Sequence, residues 1–506
     1  MKRNKFSLSH YKLLSCDMGE LVPISVTEVL PGDTIQQASS ALVRVSPLIA
    51  PVMHPVTVRI HHWFVPHRLV WEDWEDFITG GSDGFDASVF PYVTMSYAAG
   101  PPETGNGVVG QLGDYLGMPP QLNGLVVSAL PFRAYSLIWN EFYRDQDLQT
   151  PLTISVAQGS DTTTNTALQN VGWEKDYFTS ARPFTQKGPE VSIPLTGDAP
   201  VKGIGKANQT FGGNANVYES GGSGTTTYTN QQPVSSANAN ETFRVREDPD
   251  NPGYPGIYAD LSGVSAASIN DLRLAFALQR YEEARARYGS RYTEYLRYLG
   301  VRSSDARLQR PEYLGGGKQT IQFSEVVTTS VDPYATKPIG TLAGHGIGAV
   351  RSNRYRRFFE EHGYVISLMS VKPKTMYVQG VPRTYLRRTK EDFWQRELEH
   401  IGQQEINRKE IWGASADPTP FGYQDRYDEY RRTESNISGE FRTTALDYWH
   451  MARIFASEPQ LNASFVQAVP TKRVNAVQTN DVLWVMTNHS IQARRQLSKT
   501  GKSFIF

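Results

Sequence analysis

Four histidines packed into one short stretch, a single cysteine and a run of acids are the side chains best placed to do chemistry in this 506-residue chain. His54, His61, His62 and His67 invite a metal reading, but a metal needs its ligands to converge. His61 and His62 are neighbours in a segment that reads as a strand, where successive side chains face opposite sides. No cysteine or carboxylate completes a ligand set at zinc spacing, so these histidines are expected to be buried or at an interface. Cys16 is the only cysteine, which excludes an internal disulfide and a Cys-based metal site. It has no recognisable partner for nucleophilic work, and no Gly-x-Ser-x-Gly elbow exists. Glu72, Asp73, Glu75 and Asp76 lie beside Trp71 and Trp74, as the wet face of a helical turn would. A phosphate loop at Gly317-Lys318 fails because positions 312 and 319 are Glu312 and Gln319. Gly344-x-Gly346 lacks the flanking strand and helix of a dinucleotide site. No catalytic residue, cofactor or metal is expected.

Basic runs are the remaining candidates. Arg351, Arg354, Arg356 and Arg357 interleave with Tyr355 and precede Phe358 and Phe359. Arg383, Arg387, Arg388 and Lys390 form a second run. Lys2, Arg3 and Lys5 open the chain, and Arg494, Arg495, Lys499 and Lys502 close it with no acid after Asp481. Guanidinium groups beside rings suit single-stranded nucleic acid, pairing phosphates while rings stack on bases. Salt bridges between subunits are the competing reading. For the N-terminal arm it is a solvated, poorly ordered end.

The elements that must position these residues are mostly strands. Aromatic residues reach 11 %, and Gly plus Pro number 72 (42 and 30), which favours strands and long loops over helical bundles. Net charge is zero, so any nucleic-acid contact must be local. No apolar run reaches membrane-spanning length, and MKRNKFSLSHYKLLS lacks the apolar core of a secretory signal. A soluble chain that is not exported is expected. Val22, Ile24 and Val26 alternate before a Pro31-Gly32-Asp33 turn, and Val56–Val65 alternates throughout. Further strands are expected at Phe323–Val331, Tyr364–Val371, Met376–Val381 and Asp481–Thr487. Residues 85–131 read as loops and Leu137–Leu148 as a helix.

The stretch 268–317 is different. Ser268 and Asp271 give a helix-start signal, then Leu274, Leu278, Tyr281, Ala284 and Tyr288 recur at three- and four-residue steps. Gly289-Ser290 interrupts, and a second helix carries Tyr292, Tyr295, Leu296 and Leu299, with Gly300 after its end. Arg310-Pro311 and Gly315-Gly316-Gly317 are expected to force a tight loop. In residues 201–240, 22 of 40 are Gly, Ser, Thr or Asn, too polar to order alone. The chain therefore divides into 1–154, a polar segment 155–262 (a linker or a surface insertion), and 263–506.

The words INDLRLAFALQRYEEARARYGSRYTEYL and DARLQRPEYLGGG closely resemble the major capsid protein of microviruses, particularly the gokushovirus-like branch. These are icosahedral bacteriophages with single-stranded DNA genomes. HHWFVPHRLVWEDWEDFITGG, EHGYVISLMSVKPKTMYVQGVPR, DFWQRELEHIGQQEINRKEI, FGYQDRYDEYRR and SGEFRTTALDYWHMARIF match as well. The ending ARRQLSKTGKSFIF departs from the family's Pro-rich one, so no terminal contacts are carried over.

The resemblance implies an eight-stranded antiparallel jelly roll with long inter-strand loops and a few helices. It implies a T=1 shell of about sixty copies around a circular single-stranded DNA genome. Implied partners are a small basic DNA-packaging protein, a minor pilot protein, a scaffolding protein and a host-surface receptor met by the 155–262 insertion. Assembly is implied in the host cytoplasm. Trp71, Trp74, Arg310, Tyr313, Tyr423 and Tyr430, all within matching words, are candidate interface residues. Lys2, Arg3, Lys5, Arg351, Arg354, Arg356, Arg357, Arg494, Arg495 and Lys499 are candidate DNA contacts. From the residues alone two rivals stay open: a carbohydrate-binding jelly-roll module and, against the zero charge, a dedicated single-stranded DNA-binding protein.

Overall fold

The computed structural model describes residues 3–189, 191, 201–202, 217–218, 225–226, 258–259, 269–289, 291–329 and 338–499. Lys2, Ser268, Ser290, Lys502 and most of the 155–262 segment lie outside the described residues. Two compact units are distinguished: residues 1–187 with 283–506, and residues 188–282.

Alternation of apolar and polar residues builds the first unit. Strands β1 (Asn4–Ser7), β2 (His10–Cys16), β3 (Val22–Val29), β4 (Thr34–Leu48) and β5 (Val56–Pro66) follow one another. The Leu30–Asp33 turn between β3 and β4 needs Gly32 at φ +83°. A helical turn, α1 (Trp74–Thr79), follows β5. The region expected to be all loop holds a small pair, β6 (Tyr92–Thr94) with β7 (Val126–Ser128), and the short α2 (Leu112–Tyr115). Helix α3 runs Leu130–Phe142, not 137–148. Pro131 sits in its first turn, where no donor is missed. Past Phe142, side-chain bonds from Arg144 to the Gln149 carbonyl and from the Asp145 N–H to Gln149 replace the helix.

The second unit holds two-residue pairs, β8 (Val201–Lys202) with β11 (Tyr258–Ala259) and β9 (Val217–Tyr218) with β10 (Thr225–Thr226). Helix α4 (Ile269–Tyr288) and α5 (Tyr292–Tyr298) stand where the periodicity puts them, and Gly300 ends the second at φ +80°. Leu274, Leu278, Tyr281 and Tyr288 on α4 are about half exposed or more.

The first unit resumes at residue 283, within α4, and after α5 it continues with strands β12 (Glu312–Val327), β13 (Leu342–Arg351), β14 (Tyr355–Phe358) and β15 (Gly363–Pro373). After them come the hairpin β16 (Gln403–Asn407) and β17 (Pro420–Asp425), the turn α6 (Ala463–Val466), and β18 (Leu483–Arg495). Two expectations fail here. Met376–Val381 is not a strand; Tyr377 makes only a bridge to Arg453, and its ring is buried among Phe178 and Phe455. Gly315-Gly316-Gly317 is not a loop but the middle of β12. A bulge between Tyr313 and Gly315 bends the strand. A Cβ on Gly316 would stand 2.3 Å from the Ile60 carbonyl oxygen, and one on Gly317 2.4 Å from that of Arg351. The glycines serve close strand approach rather than a turn.

The sheet is one curled antiparallel surface in the order β1-β18-β4-β13-β12-β5-β15-β3. Those eight positions hold ten strand segments, because β2 continues beside β18 and β14 continues beside β4. Strand β12 turns the corner: residues 312–321 pair with β5 and 322–327 with β13. The result is a jelly-roll sandwich of two layers. Its interior is apolar, with Val43, Val45, Val485 and Leu483 of one layer against Val58, Ile60, Met369 and Val371 of the other.

The outer faces are unlike. Strand β15 is buried on both sides, since Ile366 and Leu368 meet Phe132, Tyr135 and Ile138 of α3. Strand β18 alternates buried and exposed over nearly its whole length, so that layer's outer face is bare.

Candidate nucleic-acid interface

The histidines settle into the frame of the sandwich. His61 and His62 face opposite sides of β5: His61 Nδ1 bonds the Tyr143 hydroxyl at 2.7 Å and His62 Nδ1 the Ser367 hydroxyl at 2.8 Å. Burial pushes His54, His61 and His67 down to about 4 and His62 to about 3, so they are neutral near pH 7. Among the described residues no group of three His, Cys, Asp or Glu could hold a metal ion.

The candidate DNA contacts separate into two sets. Arg3, Lys5, Arg351, Arg354, Arg356, Arg494 and Lys499 are exposed. The first of these places its guanidinium 4.9 Å from the Phe358 ring centroid and donates to Thr34 Oγ1 at 3.3 Å. Strand pairing sets four of the set on one face of the sheet. Lys5 is opposite Arg494, Arg494 is opposite Thr34, and Phe358 meets Thr34 from the other side. Arg356 lies one step along, opposite Gln36, and Arg351 further on, opposite Ser40.

Arg357 and Arg495 belong to a different set. Alternation turns them away from that face, where Arg357 meets Glu312 at 2.8 Å and Arg495 meets buried Asp33 at 2.9 Å. Both are thus engaged in ion pairs, Arg357 from an exposed position and Arg495 from a largely buried one. The 383–390 run is likewise committed inward in part. Arg383 bonds Glu410 at 2.8 Å, and Arg387 bonds Glu429 at 3.2 Å while stacking 4.4 Å from the Tyr430 ring.

Of the candidate interface residues, Trp71 is corrected: it is fully buried beside Phe77 and Phe90 and cannot reach a neighbour. Trp74 is half-buried against His67 and His362. Arg310 pairs with Asp305 at 2.6 Å and lies 4.9 Å from the Phe142 ring, holding the turn before β12. Tyr423 is half-buried in the β16–β17 hairpin. Tyr313 and Tyr430 are about half exposed and remain available.

Sequence reasoning missed Arg44, Tyr11 and Trp484 on the bare face, although the period of two in LWVMTNHSIQARR carries the signal for β18. It also missed Arg133, wholly buried in α3, which donates to Asp161 at 2.7 Å and to the Val70 and Ala157 carbonyls. A lone arginine in an apolar run has no sequence signature for that role.

The arrangement offers charge, rings and a broad strand surface. Known proteins place it. The family described as capsid protein (F protein) matches residues 1–505. The chain is 35 % identical over 484 residues to Capsid protein VP1 of Bdellovibrio phage phiMH2K, covering 92 % of this chain and 88 % of that one. It is 33 % identical to Capsid protein VP1 of Chlamydia phage 1, covering 94 % and 91 %. It is 32 % identical to Capsid protein VP1 of Spiroplasma virus 4, covering 92 % and 87 %. The chain belongs to the F-type capsid protein family of the single-stranded DNA microviruses.

Proposed function

We propose that copies of this chain close into a T=1 icosahedral shell of about sixty subunits around a circular single-stranded DNA genome. The observation that carries the reading is the family match from residue 1 to 505, over a jelly-roll sandwich. Modest contacts suffice, because each subunit of a closed shell binds several neighbours at once. Exposed Tyr313 and Tyr430, and partly exposed Trp74, are the proposed contacts between copies. Exposed Arg3, Lys5, Arg351, Arg354, Arg356, Arg494 and Lys499 are the proposed genome contacts, acting through phosphate charge and without sequence preference.

A small basic DNA-packaging protein, a minor pilot protein and a scaffolding protein are the proposed partners, with assembly in the host cytoplasm. The polar 155–262 segment is the proposed site of host-receptor attachment. No helix among the described residues is long and apolar enough to cross a membrane. The test is to treat purified particles with nuclease and characterise what survives inside. Circular single-stranded DNA is expected. Protected duplex DNA, or particles that never hold nucleic acid, would contradict the reading.

A further inference from the structure

We propose that the bare outer face of the β2–β18–β4–β13 layer, with β1 and β14 at its end, holds single-stranded nucleic acid, cations meeting phosphates and rings meeting unstacked bases. This rests on the capsid reading and assigns the genome to one face of one layer.

The two layers of the sandwich are treated differently by the rest of the chain. Helix α3 and its neighbours cover the β5–β15 layer and bury Ile366 and Leu368. The opposite layer leaves Trp484, Met486, Tyr11 and Leu13 exposed, the last at 82 %. An uncovered face this apolar in a soluble chain marks a binding surface.

Its charge says what binds. Pairing register assigns the outward side chains row by row, from Lys5–Arg494–Thr34–Phe358 to Ser15–Trp484–Arg44–Ile347. Lys5, Arg494, Arg356, Arg351 and Arg44 point outward, and no outward strand position among the described residues is Asp or Glu. Asp481, just before β18, accepts a hydrogen bond from Ser15 at 2.5 Å. The chain as a whole is neutral, with 51 basic and 51 acidic residues, so a face with five outward strand cations and Asp481 as the carboxylate at its edge is a local asymmetry. None of these five makes an ion pair with a described residue. A second copy packed here would need acidic side chains placed to match these cations; a phosphate backbone supplies negative charge at every nucleotide without a partner sequence.

Cations and rings are spread along the face rather than clustered. From Thr34 to Arg44 the β4 rows span about 33 Å at about 3.3 Å per residue. Phe358 stands at one end, Tyr11 opposite Asn488 in the middle and Trp484 at the other end. A sheet surface carrying cations and spaced rings is how single strands are held without sequence readout.

The test is ultraviolet crosslinking of intact DNA-filled particles, with adducted peptides mapped by mass spectrometry. Nucleotide adducts are expected on the peptides holding Tyr11, Phe358 or Trp484. Arg351→Ala with Arg494→Ala should leave particles of unchanged size with at least twofold fewer of those adducts. DNA-filled particles whose adducts all map elsewhere would overturn the assignment while leaving the capsid reading intact. Crosslinks joining this face to another polypeptide, whether a second copy or a packaging protein, would overturn it as well. Absence of any particle from the wild-type chain would instead strike the capsid reading beneath it.

Discussion

Arg494 and Phe358 stand in one row of the sheet, each the antiparallel partner of Thr34, the first from β18 and the second from β14. Two segments far apart in sequence are thereby set on one face with Arg3 stacked across the end. Arg357 and Arg495, the very next residues to Arg356 and Arg494, fall on the other side and meet carboxylates. One-residue offsets thus separate proposed genome contacts from structural pairs.

That division predicts opposite phenotypes for neighbours. Arg356→Ala with Arg494→Ala should lower nucleic acid per particle, read from the ratio of absorbance at 260 and 280 nm, and leave the melting temperature within about 1 °C. Arg495→Ala should leave Asp33, 1 % exposed, without its partner and cost about 3 kcal/mol by chemical denaturation. Equal effects of the two changes on melting would contradict the division.

Arg133 and Asp161 form the most deeply buried ion pair among the described residues, with side chains 1 % and 0 % exposed. Thr164 adds two further bonds to Asp161, from its N–H at 2.9 Å and its hydroxyl at 2.6 Å. Arg133→Ala strands a buried carboxylate and should cost about 3–5 kcal/mol, measured by denaturant unfolding. A loss under about 1 kcal/mol would show that the pair is not holding the 150s loop to α3.

A buried polar chain crosses the sandwich from His62 to His489. His62 bonds Ser367, and Gln37 donates to Ser367 and Ser39 at 3.1 and 3.2 Å. Ser39 Oγ meets His489 Nδ1 at 2.7 Å. Burial pushes the two imidazoles down to about 3 and about 4. The unfolded chain therefore binds more protons between about pH 6.5 and those values, and stability rises with pH there. It should be fully present above about pH 6.5 and lost as pH falls toward 4. His54, His61 and His67 add in the same direction. Glu20, raised to about 7 by burial, opposes them. Melting temperatures from pH 8 to pH 4 should fall, less steeply in His489→Asn; a flat profile would refute the linkage.

Gly317 is predicted to tolerate no side chain. A Cβ there would also stand 2.8 Å from the Ser352 Cα, backbone on both counts. Gly317→Ala should cost about 2 kcal/mol or more, read as a lowered melting temperature. A neutral outcome would mean β12 and the β13–β14 connection can part freely.

Much of the sandwich was legible in the sequence because period-two patterning is local: Val56–Val65 and the start of β18 stand where alternation puts them. The triple glycine misled, since close approach of Ile60 and Arg351 comes from partners far away in the chain. Trp71 misled for a similar reason; its ring is claimed by Phe77 and Phe90, not by the surface. The basic runs were visible, but which arginines are committed to acids depends on pairing register across β1, β18, β4 and β14, and composition carries no register.

Light scattering on the purified particle, or on chain expressed with its partners, decides whether this sandwich builds a shell. About sixty chains of 56.6 kDa give a closed particle of about 3.4 MDa before any DNA. Isometric particles of that mass are the predicted result. A species of one to a few folded chains that persists in the presence of the partner proteins would contradict it.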